Sequence, residues 1–356
     1  MAVETHVAEE LATIAPEIEG AGEDGQAAQR VLFSCVSENK PEWFDRVINL
    51  ALSVRTFGGP LADAPVVVNF VGGADSAMRR ILADLGAEVR VVERFDARTP
   101  YANKLRMLEM VEDHNFDILL ALDCDVIVVG DVTPYLSTTH VAAKPADRDR
   151  LTDQQWDALF GALGVPLPKK SVVATSSGTP MRPYFNSGVV VVPAAQCRRL
   201  LASWTGSLDD TLLLLDRRPE LVPTQWHIHS DQFSLAATLL RDHFPTLPLP
   251  LSMNFPTHIG SKPELVAAAG SPVILHYHKD MNSEGLIMRS RAEVANGLIA
   301  RFNAARANHF QLPDPGVPEV PVSVRARRVA VRGVQAIRGY RHRVGIATGR
   351  GSTHRV

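Results

Sequence analysis

Cysteine is scarce: the 356 residues hold Cys35, Cys124 and Cys197 alone, an odd number without the spacing of a zinc site. That excludes a disulfide-stapled secreted scaffold and predicts a reducing cytosol. No apolar run approaches the roughly eighteen residues needed to cross a bilayer, and the N-terminal residues show no basic segment followed by an apolar stretch. Neither an integral membrane protein nor one exported by a recognisable signal is expected. Net charge is small as well, -2 overall, which gives no global pull toward nucleic acid.

The small total conceals two polarised ends. Residues 1–30 carry seven acids, from Glu4 to Asp24, against the single Arg30, and read as an acidic flexible arm. After Glu319 no acid occurs, while nine arginines accumulate between Arg325 and Arg355. Residues 311–321 are proline-rich and read as a stiff linker, leaving 31–310 as the globular domain and 322–356 as a basic tail. With 46% hydrophobic and 21% charged residues, the chain has material for a sizeable core.

Within the domain, short β-rich runs alternate with segments of helical apolar spacing. Strands are expected at 31–36, 65–71, 88–92, 117–122, 126–129, 185–193 and 272–278. Helices are expected at 41–57, 76–85, 101–112, 153–163, 195–215, 230–240 and 291–308, with Ser230 as an N-cap. This order predicts an α/β fold with a Rossmann-like, mostly parallel sheet and flanking helices. The looser stretch 134–182 is expected to cover the site. No internal repeat is visible.

Ligands of such sheets lie at the carboxyl ends of the strands, and Asp123-Cys124-Asp125 falls at the end of the run 117–122. On a strand, residues two apart face one side. If the extended geometry persists, Asp123 and Asp125 converge on one ligand and Cys124 points toward the core. Paired carboxylates are hard, acceptor-only ligands that suit Mn²⁺ or Mg²⁺ holding a phosphate-bearing substrate. The run 272–278 places His276 and His278 on one face, so either could add a nitrogen ligand, and Lys279 behind them could neutralise a phosphate. The plain alternative for each is a turn or strand-end residue in solvent or a hydrogen-bonded structural histidine.

Seven blocks in order carry a resemblance: the strand 31–36, YANKL at 101–105, LDCDV at 122–126, FNSGV at 185–189, SDQ at 230–232, LPLSMN at 249–254 and ILHYHK at 274–279. Together they resemble the retaining nucleotide-sugar glycosyltransferases of the glycogenin and bacterial lipooligosaccharide galactosyltransferase type, over roughly residues 31–305. The resemblance implies a GT-A fold and a metal held by Asp123, Asp125 and His276. It places Val36, Ser37 and Glu38 around the base, Tyr101 and Lys104 near the nucleotide, and Asp123 and Cys124 beside the donor. Asn186 and Ser187 would line the sugar subsite, with Asp231 and Gln232 as the catalytic pair, Gln232 lying near the anomeric carbon. The family often has a glycine three residues after the histidine and then Lys-Pro-Trp; here the run is His276, Tyr277, His278, Lys279, Asp280, Met281. Lys279 is the substitute diphosphate-binding lysine.

The implied activity is metal-dependent transfer of a hexose from a nucleoside diphosphate sugar, a UDP-sugar by resemblance, to the hydroxyl of a glycan, glycolipid or small-molecule acceptor, with retention. Two rivals differ in class. A non-catalytic nucleotide-sugar-binding scaffold would keep the pocket without turnover, whereas a sugar nucleotidyltransferase needs a glycine-rich basic loop after the first strand, which residues 37–40 do not supply. The basic tail has an apolar stripe at helical spacing that could lie on an anionic membrane surface. It reads equally as an unstructured tail or one pairing with the acidic arm. The expected location is cytoplasmic, with the tail offering a route to the inner membrane face.

Overall fold

The computed structural model describes residues 29–109, 111–149, 151–220, 229–312 and 317–318. The acidic arm up to residue 28, most of the linker 311–321 and the basic tail lie outside the described residues.

The first half of the chain builds the strands β1 (Val31–Glu38), β2 (Val66–Val71), β3 (Ala87–Val92), β4 (Ile118–Asp123), β5 (Val126–Val128) and β6 (Val141–Pro145). The second half adds β7 (Val172–Val173), β8 (Pro180–Met181), β9 (Phe185–Pro193), β10 (Thr246–Pro248), β11 (Phe255–Pro256) and β12 (Ile274–His276). Helices follow as α1 (Pro41–Phe57), α2 (Ser76–Asp84), α3 (Arg106–Glu109), α4 (Asp153–Ala162), α5 (Ala194–Arg217), α6 (Ser230–Arg241), α7 (Pro263–Ala269) and α8 (Glu293–His309).

A seven-stranded sheet in the order β10-β6-β9-β4-β1-β2-β3 forms the centre. All its pairings are parallel except the two made by β9, which runs against β4 and β6. Helices cover both faces, so its strands read as near-continuous apolar runs. Along β1, for example, Phe33 and Cys35 pack in one core cluster and Leu32 in another. Helix α1 has the bounds that its sequence pattern predicts because Pro41 opens it, where a missing N–H costs nothing, and Gly58 follows its last turn.

Three differences from the sequence pattern bear on the site. The helix expected at 101–112 is instead a 3₁₀ turn, Pro100–Leu105, capped by Thr99, and then the short α3. Extended geometry does not persist through Cys124 and Asp125: β4 ends at Asp123, the chain turns, and β5 leaves for a second sheet, β11-β12-β5. The last strand is likewise shorter than 272–278 and stops at His276. Because β12 runs antiparallel to β5 with His276 opposite Val126, its end is brought against Asp125.

Among its described residues, the segment 134–182 contributes none to the lining of the cleft described below. Its Trp156 stacks on Phe160 at 5.3 Å between ring centroids and meets Tyr184 and Phe233, which lie outside the segment, edge-on at 5.2 and 5.9 Å. A side chain committed to that core is not free to roof a neighbouring site. Among the described residues no helix is long and apolar enough to cross a membrane.

Candidate active site at the carboxyl edge of the sheet

A cleft of about 550 Å³ opens at the carboxyl ends of β1 and β4. Val36, Ser37 and Glu38 line it from the end of β1, Tyr101 and Lys104 from the 3₁₀ turn, and Asp123, Cys124 and Asp125 from the turn after β4. Asn186, Asp231, Gln232, His276 and Lys279 complete the set expected from sequence. The reversed direction of β9 explains Asn186: its first residues, not its last, lie beside Asp123, with Val189 paired to Leu122. Ser187 is the exception, since it is fully buried beneath the cleft.

Lys104 organises the floor. Its Nζ lies 2.9 Å from Asp123 Oδ1, 2.9 Å from Asp231 Oδ2 and 2.9 Å from Ser187 Oγ. An ammonium has three N–H donors, and all three are used inside the protein. Burial by itself would lower the lysine's proton affinity, but the Asp123 and Asp231 carboxylates outweigh it and raise it above the ordinary value. Lys104 therefore stays charged and sets the positions of two acids. Ser187 donates its hydroxyl to Asp231 Oδ2, while Asp231 Oδ1 is buried without a hydrogen-bond partner.

Asp231 occupies the first turn of α6, where an acid complements the helix dipole. The expected cap is not observed. His229 takes the N-cap position without a side-chain cap bond, and Ser230 is the first helical residue, its buried Oγ unpartnered. Gln232, one residue on, has its Nε2 3.3 Å from His229 Nδ1.

A chain of amides fixes the tautomer of His276. The Gly188 N–H donates to Asn186 Oδ1 at 2.8 Å, so that atom must be the carbonyl oxygen. Asn254 Nδ2 donates to the same oxygen at 3.0 Å, which turns Asn254 Oδ1 toward His276 Nδ1, 2.9 Å away. Nδ1 must then carry a proton. His276 Nε2 is left facing Asp125 Oδ1 at 3.2 Å and Asp123 Oδ2 at 3.9 Å. In the neutral ring it presents a lone pair to carboxylate oxygens, an arrangement that a proton or a metal cation resolves.

Space for that convergence depends on Gly188. A Cβ there would stand 2.8 Å from His276 Cε1 and 2.9 Å from both Asn186 Oδ1 and Asp123 Oδ2. Only a residue without a side chain lets the strand approach so closely.

The two acids differ in environment. Burial pushes Asp123 above the usual carboxylate range, against the pull of Lys104. For Asp125 burial acts in the same direction but is overcome by His276, His278 and Arg46, which hold it well below that range. The ligand atoms of Asp125, His276 and His278 all lie within 4.8 Å of one another, a set that could hold a metal ion. The expected trio of Asp123, Asp125 and His276 is thus present with a different emphasis, because Lys104 engages both oxygens of Asp123. Cys124 packs in the core, and burial raises its thiol well above the ordinary value.

Several cleft residues were not singled out by sequence. Trp43 and Arg46 enter from α1, the guanidinium 4.1 Å above the indole ring and 3.5 Å from Asp125 Oδ2. Their signal is an i, i+3 pair on the helix that follows β1. Glu38 on the rim is paired with Lys40 and, at 3.2 Å, with Arg94.

Known proteins resemble the chain in sequence or in fold. Residues 67–241 match the family model described as the Rhodobacterales glycosyltransferase domain. That match spans 175 of the 356 residues, a little under half of the chain. In fold it is similar to an active-site mutant of LgtC, with a TM-score of 0.50 and 14% identity over 78% of this chain and 95% of that one. Galactosyltransferase LgtC in complex with donor and acceptor sugar analogs aligns at a TM-score of 0.48 and 16% identity, over 83% of this chain and 99% of that one. The bifunctional glycosyltransferase WbbM aligns at 0.46 and 14% identity, over 81% of this chain and 53% of that one. No curated protein matches the chain. The fold is that of the GT-A glycosyltransferases.

Proposed function

We propose that the enzyme transfers a hexose from a nucleoside diphosphate sugar, with a UDP-sugar as the first choice, to an acceptor hydroxyl, using a divalent metal held by Asp125 and His276 with Asp123 adjacent. The observation that carries this reading is the fixed tautomer of His276, whose Nε2 is aimed at Asp125 Oδ1 from 3.2 Å. Carboxylate oxygens of Asp125 and Asp123 stand 3.2 and 3.9 Å from His276 Nε2. Two carboxylates clustered on one imidazole lone pair suit a small divalent cation.

When bound, such an ion supplies Lewis acidity that stabilises negative charge on the departing diphosphate. The protein's own groups do the rest. The bond from the anomeric carbon to the diphosphate oxygen breaks with its electron pair on that oxygen, and the acceptor oxygen bonds to the carbon. The acceptor's proton leaves with the diphosphate. As positive character develops on the sugar ring, Asp231 Oδ1 is the unpaired buried oxygen that can accept from a sugar hydroxyl, and Gln232 offers an amide oxygen close by. Retention follows from the family resemblance. Val36, Ser37, Glu38 and Tyr101 supply the wall for base and ribose, and Lys279 the cation for the diphosphate.

A panel of nucleotide sugars tested by thermal unfolding, with and without Mn²⁺, checks the reading. Saturation at about 100 times Kd stabilises by about 2.7 kcal/mol, a rise of several degrees for a domain of this size. One donor class should give that rise with Mn²⁺ and lose it with chelator. If no nucleotide sugar shifts the transition under either condition, the donor assignment is wrong.

A further inference from the structure

His278 has a backbone φ of 53°, one of three positive values at non-glycine positions among the described residues. An L-residue in the left-handed region is strained, and such strain at a cleft invites a functional explanation. Here it aims an imidazole. Two residues along an extended strand stand about 6.6 Å apart, yet the rings of His276 and His278 stack with centroids 3.7 Å apart and 20° between planes. The turn out of β12 has folded the second ring back over the first. His278 Nδ1 lies 4.0 Å from Asp125 Oδ2, and the ring of His258 abuts His278 edge-on at 4.0 Å.

We propose that His278 is a metal ligand beside Asp125 and His276, and that this second imidazole makes the centre select a borderline first-row ion, Co²⁺ or Zn²⁺, over Mg²⁺. The inference rests on the reading that the cleft binds a divalent metal. Mg²⁺ favours six hard oxygen ligands in octahedral array; imidazole nitrogen favours the later ions of the row. Two histidines and one carboxylate form a three-ligand set that leaves coordination positions open for substrate oxygens. Asp123, tied to Lys104, then shapes the charge around the centre rather than completing it.

Calorimetric titration of the full chain with Mg²⁺, Mn²⁺, Co²⁺ and Zn²⁺, together with the visible spectrum of the Co²⁺ form, tests this. Wild type should bind Co²⁺ and Zn²⁺ at least about tenfold more tightly than Mg²⁺. His278→Asn keeps a side chain tolerant of the left-handed backbone, and His278→Gly removes the strain. Both should lose about tenfold or more in Co²⁺ and Zn²⁺ affinity, change the Co²⁺ spectrum, and leave Mg²⁺ affinity within about threefold. If these folded variants keep the wild-type ranking and spectrum, His278 is not a ligand although the metal site stands. If wild type binds none of the four ions, the metal site itself is refuted and the inference with it.

Discussion

An Asp125→Asn variant is expected to remain folded and to lose glycosyl transfer by about a thousandfold, the scale on which a single charge-stabilising group contributes to a transition state. Asp125 sits in the turn between β4 and β5, with Arg46 and His276 against its carboxylate. An amide of the same shape keeps the turn but is a much weaker ligand for a hard or borderline cation. The loss should therefore appear in kcat at saturating donor and in metal affinity, with the circular dichroism spectrum unchanged. Near-normal turnover in that variant would sink the metal assignment.

The largest effect on stability is expected from Lys104→Met. It leaves Asp123 and Asp231, both beneath or at the floor of the cleft, without their shared cation. Removing one member of a buried ionic network costs about 3–5 kcal/mol because the remaining charges stay desolvated. Urea unfolding should register that loss as a shift in midpoint. The double variant Lys104→Met/Asp231→Asn should recover part of it, since one unpaired charge is then removed. A single-variant loss under about 1 kcal/mol would mean that the network behaves like a surface ion pair.

A short continuous apolar run such as Val66–Val71 was legible because it suits a strand buried on both sides better than a turn or an amphipathic helix. Strand β6 was not, although it is buried along its whole length, because Lys144 and Pro145 interrupt its apolar run. Helix α1 was legible from the helical spacing of its apolar residues, Phe44, Val47, Leu50, Ala51 and Val54. The acid pair could be located too, since a strand end follows from the apolar run before it. The reason the acids converge could not be read. It depends on β5 leaving the main sheet and on the antiparallel register of β12, and non-local pairings leave no mark on local periodicity. The backbone turn at His278 is hidden for a related reason, because alternation in a run predicts only which face a side chain takes. Lys104 was singled out as a residue approaching the nucleotide, yet its hydrogen bonds are satisfied by Asp123, Asp231 and Ser187. Asn254 stood in a recognisable block, but its role in setting the tautomer of His276 needs the atoms on both sides.

Product analysis with the active donor tests the central claim most directly. With metal present, the account predicts release of free nucleoside diphosphate in step with a glycosylated acceptor, and neither product after chelation. Pyrophosphate formed or consumed in place of the diphosphate would mark a nucleotidyltransferase, and donor binding without any product would mark a scaffold; either result contradicts the account.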